Sequence, residues 1–280
     1  MTAIPYVPRE EYDKLTAVNW STLKHLSKTP AHYLEAITVG TDDSDALTRG
    51  RATHTACLEP EKFRSEFAVY SGRRAGKDWE AFAAAHRDRD ILTESTYETV
   101  LATAKAVRGS EMARPYITGG NFEVTLKWGY ESPSVPGFES YRFDCKARLD
   151  YVTRDSIADL KSTRDGSPSG FAREVLRYEY HVQAAWYVDA YKAVTGVELP
   201  YFMVTVEAKA PHVVQVYEVP PDILQLGRAR YRELLDTLSV CRRESRWPGY
   251  AETPMQLAFP RWARPLDGDE DFDSDLVIGE

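Results

Sequence analysis

Cysteine is scarce: the 280-residue chain has three, at positions 57, 145 and 241, far apart and without a Cys-x-x-Cys pair. That excludes a disulfide framework and, within one chain, a four-thiolate zinc or iron–sulfur site. A reducing compartment fits such usage. Long apolar runs are also missing. No stretch of 18 apolar residues occurs, and the opening MTAIPYVPREEYDKL is broken by charges and prolines where a secretory signal would carry an apolar segment. The expectation is a cytoplasmic protein without membrane association. Glycine and proline number 16 each, too few for collagen-like or low-complexity chains, so the class is folded and globular.

The net charge of −8 argues, taken whole, against a polyanionic partner. Its distribution reverses that inference. The segment from Asp267 to Glu280 holds seven acids and neither Lys nor Arg, so residues 1 to 266 carry a net charge of only −1. That tail reads as a disordered acidic extension. The remainder includes basic clusters at Arg73, Arg74 and Lys77, at Arg242, Arg243 and Arg246, and at Arg261 and Arg264.

At roughly 150 residues per domain the length allows one large domain or two small ones, and no internal repeat is present. Residues 19 to 37 predict two short helices, the second opening at Thr29-Pro30, where a Thr cap precedes a Pro suited to the first helical position. Leu47, Arg51, His54 and Leu58 recur at helical spacing and predict a helix over 44 to 58. Residues 78 to 108 are Ala-rich and read as helix, so the chain looks wholly helical from about 15 to 110. Strands are predicted at Asn121 to Tyr130, Tyr141 to Val152, Ser156 to Ser162, Tyr201 to Glu207 and His212 to Val219, all rich in aromatic and β-branched residues. One long helix from Gly170 to Thr195, ended by Gly196, and a last helix over Pro221 to Arg243 complete the pattern. The fold class is α/β, a central sheet flanked by helices with a helical N-terminal portion. It is read as one domain over residues 1–266, its core at about 120–245, with the tail over 267–280.

The stretch KARLDYVTRDSIADLKST, 146 to 163, carries the chemistry. A strand, a turn at Thr153 to Ser156 and a returning strand form a hairpin that brings Asp150 near Asp159. Alternation puts Asp159 and Lys161 on one face and Leu160 on the other. Two carboxylates and an ammonium then converge, a donor set suited to a hard divalent cation whose other positions are filled by water and phosphate. Such a site serves phosphodiester hydrolysis. An isolated Asp-x-Lys is more often a solvated ion pair. Here Ile157, Ala158 and Leu160 surround it, and charge inside a buried strand is costly unless it has a task.

Asp150, the hairpin, Asp159 and Lys161 resemble the PD-(D/E)XK nuclease superfamily, and the rest of the chain resembles its RecE (exonuclease VIII) type from phages and prophages. VNWSTLKHLSKTPAHYL is similar to that group's N-terminal helix pair, and ALTRGRATHTACLEP to its G-x-x-x-H-x-x-x-x-x-P segment with Gly50, His54 and Pro60. NFEVTLKW supplies Glu123, YEYHVQAAWYVDAY the Q-x-x-x-Y pair Gln183 and Tyr187, and LAFPRWAR also matches. The resemblance spans about residues 15 to 265. The name-giving Pro-Asp is absent, since Leu149 precedes Asp150.

The resemblance implies a restriction-endonuclease-like PD-(D/E)XK core with a mixed sheet. It also implies a site in which His54, Asp150, Asp159 and the Leu160 backbone carbonyl bind Mg²⁺, with Mn²⁺ able to substitute, while Lys161 serves the attacking water. His54 is read on the apolar face of its helix with Leu47 and Leu58, where by residue type alone a lone histidine is more often a hydrogen-bonded core residue. Glu123 fits two readings, an acid near the metal or a half-exposed strand residue. Gln183 and Tyr187, four apart on one helix face, position DNA or support the ligands; Tyr180, Trp186 and Tyr191 nearby read as core. Arg173 reads either as a phosphate contact or as a solvated charge.

The implied activity is a Mg²⁺-dependent 5′-to-3′ exonuclease on linear duplex DNA, leaving 3′ single strands for phage-type recombination. Its implied partners are double-stranded DNA ends, further copies of the chain in a ring and a single-strand annealing protein. The alternatives are a nuclease-derived module that grips DNA ends or a recombination partner without cutting, and a related metal-dependent endonuclease or single-strand nuclease. For the acidic tail the expectation is that it tempers nonspecific DNA binding or docks a partner. Deleting residues 267–280 should therefore alter DNA affinity, its salt dependence or partner binding, as titrations of both chains across ionic strengths will read.

Overall fold

A computed structural model of the chain describes residues 7–40, 44–133 and 139–259. The acidic tail, Arg261 and Arg264 lie outside these. A short helix α1 (Arg9–Lys14) leads to α2 (Trp20–Leu23), a 3₁₀ turn (Lys24–Ser27) and α3 (Pro30–Thr38). Thr29 caps α3 by accepting from the His32 amide, with Pro30 in the first turn. Then come α4 (Asp45–Leu58), capped by Ser44, and α5 (Pro60–Glu66).

The next stretch departs from the all-helical expectation. Strand β1 (Phe67–Tyr70) is followed by α6 (Lys77–Ala85), β2 (Asp90–Thr93) and α7 (Glu94–Gly109), and β1 and β2 pair in parallel. The predicted helix over 78 to 108 is thus two helices with a strand between them. Thr93 accepts from the Thr96 amide and starts α7 anew, while Leu92 is buried in the core. A short β segment docked on a distant strand leaves little local signal among strong helix formers.

After α8 (Arg114–Ile117) the main sheet begins: β3 (Asn121–Glu131), β4 (Arg142–Val152) and β5 (Ile157–Thr163). Helices α9 (Pro168–Arg177) and α10 (Tyr180–Thr195) cross to β6 (Tyr201–Glu207), which turns to β7 (Val214–Val219) and α11 (Pro221–Glu244). The sheet order is β3-β4-β5-β6-β7, antiparallel except for the parallel β5–β6 pair, so the sheet is mixed. The α/β class with a central mixed sheet holds.

A single helix over Gly170 to Thr195 does not. Glu179, at φ 54°, interrupts it between α9 and α10. No Gly or Pro marks the spot. The break is held tertiarily: Glu179 accepts from the Ser27 hydroxyl at 2.7 Å and pairs with Arg230 at 3.2 Å. Gly196 does end α10, in the left-handed region at φ 76°.

Alternation along β5 and β6 sorts side chains between two cores. Ile157, Tyr201 and Met203 join Trp186, Val188, Leu235 and Leu238 on the face covered by α10 and α11. Ala158, Leu160, Val204 and Val206 meet Ala52, Ala56 and Val100 on the face covered by α4 and α7. The buried side of α4 is formed by Ala52, Thr53, Ala56 and Cys57, whereas Leu47 is 50% exposed; the apolar face assigned from Leu47 and Leu58 is therefore displaced. Small residues there allow α4 to lie close to α7. All three cysteines are buried and free. Among the described residues no helix is long and apolar enough to cross a membrane.

Close approach also sets α10 against α11. A Cβ on Gly227 would collide with the His181 carbonyl and come within 2.9 Å of the Ala185 Cβ. Alanine gains up to about 1 kcal/mol in helix propensity, but a clash with helix backbone costs about 1–3 kcal/mol. Gly227→Ala should therefore lower stability by about 1–2 kcal/mol, measured by chemical denaturation.

Candidate active site

The β4–β5 ladder ends at the pair Tyr151 and Ala158, which leaves Asp150 opposite Asp159 at the next position. There a side chain takes over from the backbone: Asp150 Oδ2 accepts from the Leu160 amide at 2.9 Å. A strand residue sends N–H and C=O to the same side, so the Leu160 carbonyl also points toward β4. Asp159 is 1% exposed, and two residues on, Lys161 places its ammonium against the Asp159 carboxylate. The hairpin thus brings both acids and the lysine together.

Helix α10 supplies a lid over this group. Gln183 Oε1 accepts from Lys161 Nζ at 3.0 Å, while its Nε2 donates to Asp159 Oδ1 at 3.2 Å and to the Tyr187 hydroxyl at 3.1 Å. Only this orientation of the amide satisfies both an ammonium and a carboxylate. The i, i+4 spacing of Gln183 and Tyr187 sets them on one helix face, as the resemblance requires. The Tyr180 ring centre lies 4.7 Å from Lys161 Nζ, so Tyr180, read from sequence as core, faces the charged group.

His54 enters from α4, its Nδ1 3.3 Å from Asp150 Oδ2. Glu123 lies across from Asp150, between the ladder pairs Phe122–Tyr151 and Val124–Leu149. Its carboxylate is half-buried against the Arg148 guanidinium, and its φ is 54°. Arg173 is not among these groups: it faces solvent on α9, 3.8 Å from Asp165. Of the basic clusters, Arg74 is tied to Asp45 at 3.0 Å, Arg242 lies over the Phe143 ring and Arg246 pairs with Glu252.

Electrostatics separates the roles. Burial raises the Asp150 carboxyl to about 6, with Asp159 and Glu123 adding to the rise and His54 and Lys161 opposing it. Burial by itself would lower Lys161, but Asp159 and Asp150 outweigh it and hold the ammonium above the ordinary lysine range. The hydroxyls of Tyr187 and Tyr201 are driven well up by burial and then by the Asp159 charge, so both stay protonated. Burial, and then repulsion from Lys161, lowers Lys24 in the 3₁₀ turn. Tyr201 lies in no motif of the sequence and Lys24 has no role in the one that holds it; only the fold brings them here.

This donor set fits a hard divalent ion. Two carboxylates, Asp159 buried and Asp150 mostly so, an inward backbone carbonyl and an imidazole on one of the acids offer few protein ligands, as Mg²⁺ accepts. Among the described residues no group of three or more His, Cys, Asp or Glu forms a ready-made cage, so water and phosphate oxygens would supply the remaining positions.

A carboxyl raised above its unfolded value favours the native state through its bound proton below about pH 4 and loses that contribution as pH climbs through about 6. Asp150→Asn removes the titration but keeps an oxygen for the Leu160 amide. In chelator it should exceed the parent in stability at pH 8 by on the order of 2 kcal/mol, with the advantage shrinking toward pH 4. Denaturant melts across that range test this.

A family model described as a PDDEXK-like domain of unknown function, DUF3799, matches residues 19–255. No curated protein matches the chain. Among solved structures, a candidate exonuclease from Eubacterium rectale is similar in fold, with a TM-score of 0.61 at 14% identity over 91% of this chain and 96% of that one. The protein SSO0001 aligns over 68% of this chain and 74% of that one at 15% identity, with a TM-score of 0.31, too low to bear on the fold. With the family model spanning both halves of the hairpin, α10 and the helical N-terminal portion, the chain belongs to the PDDEXK-like DUF3799 family, within the PD-(D/E)XK nuclease superfamily.

Proposed function

We propose that this chain is a Mg²⁺-dependent deoxyribonuclease that degrades one strand of linear duplex DNA from its 5′ end and leaves a 3′ single strand. The observation that carries the hydrolytic part is the Asp150, Asp159 and Lys161 group, built around the buried Asp159 and closed by Gln183 from α10. Direction and substrate rest on the RecE-like order of His54, Glu123, Asp150, Asp159, Lys161, Gln183 and Tyr187. The same resemblance supports a ring of several copies around DNA, an annealing protein as partner and work in the cytoplasm.

Asp150, Asp159, the Leu160 carbonyl and His54 would hold the ion. When bound, it supplies a water of lowered pKa and neutralises charge on the phosphoryl oxygens. The chain's own groups do the rest. Lys161, kept charged by its two acids, orients the attacking water and offers positive charge to the phosphorane-like transition state. Gln183 holds Lys161 and Asp159 at fixed separation, so the ammonium need not reorganise during reaction. Tyr187 remains a neutral hydroxyl that fixes the Gln183 amide. His54 braces Asp150 from the other core face, and Arg148 neutralises Glu123 beside it.

With 5′-phosphorylated linear duplex and Mg²⁺ the purified protein should release nucleotides and leave covalently closed circles intact. Asp159→Ala should reduce the rate by at least about a hundredfold. Cutting of closed circles would favour an endonuclease. Absence of any cutting together with absence of Mg²⁺ or Mn²⁺ binding in calorimetry would favour a binding module.

A further inference from the structure

Beside the acid cluster lies an aromatic pair that the hydrolytic chemistry does not use. Tyr178 and Tyr180 have ring centroids 5.5 Å apart and planes inclined by 31°. Tyr180 is the ring over which Lys161 Nζ sits, and the Arg177 guanidinium lies 5.4 Å from the Tyr178 centre. The series Lys161, Tyr180, Tyr178, Arg177 therefore runs outward from the buried acids. Its outer end is open: Tyr178 is 48% exposed and Leu176 68% exposed.

In an uninterrupted helix residues two apart point to nearly opposite sides and do not touch. The pair exists because Glu179 stands in the left-handed region between α9 and α10. A non-glycine residue there costs on the order of 1–2 kcal/mol, and the ties to Ser27 and Arg230 hold it in place. Strain maintained by tertiary contacts next to a buried charged cluster is a common mark of a working surface. A half-exposed tyrosine ring flanked by arginine is a platform on which nucleobases of any sequence stack.

We infer that Tyr178, supported by Tyr180 and Arg177, stacks a base of the DNA strand whose phosphate is engaged at Asp150, Asp159 and Lys161. This inference rests on the nuclease reading above. The Tyr178 centre lies within about 10 Å of Lys161 Nζ, close enough for a base near the attacked phosphate. The contact requires an unpaired base, so the site takes a single-stranded or frayed end, and Arg177 sets positive charge beside the phosphate that follows.

The test is fluorescence anisotropy in chelator, with the full chain and a short labelled single-stranded oligonucleotide, intact or with one abasic position moved along it. Tyr178→Ala should weaken binding of the intact strand by about tenfold, within the range for loss of one stacked base. Tyr178→Phe should stay within about twofold of the parent. At one abasic position the parent should lose as much as Tyr178→Ala does, and the two changes together should cost no more than either alone. Because Tyr178 lies at the surface, unchanged melting of the variant will exclude unfolding. Equal affinities of Tyr178→Ala and the parent, or additive losses at every abasic position, would overturn the stacking site while leaving cleavage by the parent intact. A parent chain that neither binds nor cuts DNA would overturn the nuclease reading together with it.

Discussion

The structure depends on how it handles one buried charge. Asp159 sits in the middle of a strand that is apolar on both flanks, where an isolated carboxylate would cost several kcal/mol. Two features of the fold answer that cost. Lys161 returns to the same face two residues later, and Gln183 spans carboxylate and ammonium with the two ends of one amide, while Asp150 on β4, bonded to the Leu160 amide, brings a second acid beside them. Each lies on a different element, so the site and the packing of α10 on the sheet cannot be separated. Burial and the neighbouring Asp159 charge raise the Asp150 carboxyl, and negative charge that costs this much in the apoprotein is what a divalent ion can stabilise.

Placing Gln183 within hydrogen-bond reach of β5 demands precise helix positioning. Two devices provide it. At the start of α10 the left-handed Glu179 redirects the chain after α9 and is tied to the 3₁₀ turn by Ser27 and to α11 by Arg230. Along its length α10 lies so close to α11 that Gly227 has no space for a side chain. The helical N-terminal portion is thereby part of the site: Ser27 holds the helix break, Lys24 adds charge near Lys161 and His54 meets Asp150.

Much of this was legible residue by residue. Thr29 and Gly196 located the start of α3 and the end of α10, because they act on backbone groups within a few residues, and helical spacing located α4. Period-two alternation around Asp159 located the buried acid and its lysine. The misread segments share a cause. Strand β2 pairs with β1 more than twenty residues away, and its sequence sits between good helix formers; the α9–α10 break uses glutamate rather than glycine and is stabilised by Ser27 and Arg230, both remote in sequence. The apolar face of α4 went wrong because alanines, not leucines, form its contact surface.

By itself the sequence determined the α/β class, the hairpin that sets Asp150 against Asp159, the common face of Asp159 and Lys161 and the Gln183–Tyr187 pair, since these follow from periodicities of two and of about four residues within short stretches. Only the tertiary structure decided that Tyr201 and Lys24 border the site, that Arg173 faces Asp165 and Glu123 faces Arg148, and that Tyr178 and Tyr180 stand side by side. Those outcomes depend on how distant elements pack and on the resulting burial, and no local spacing encodes the desolvation that makes a charge costly or a helix break worth holding.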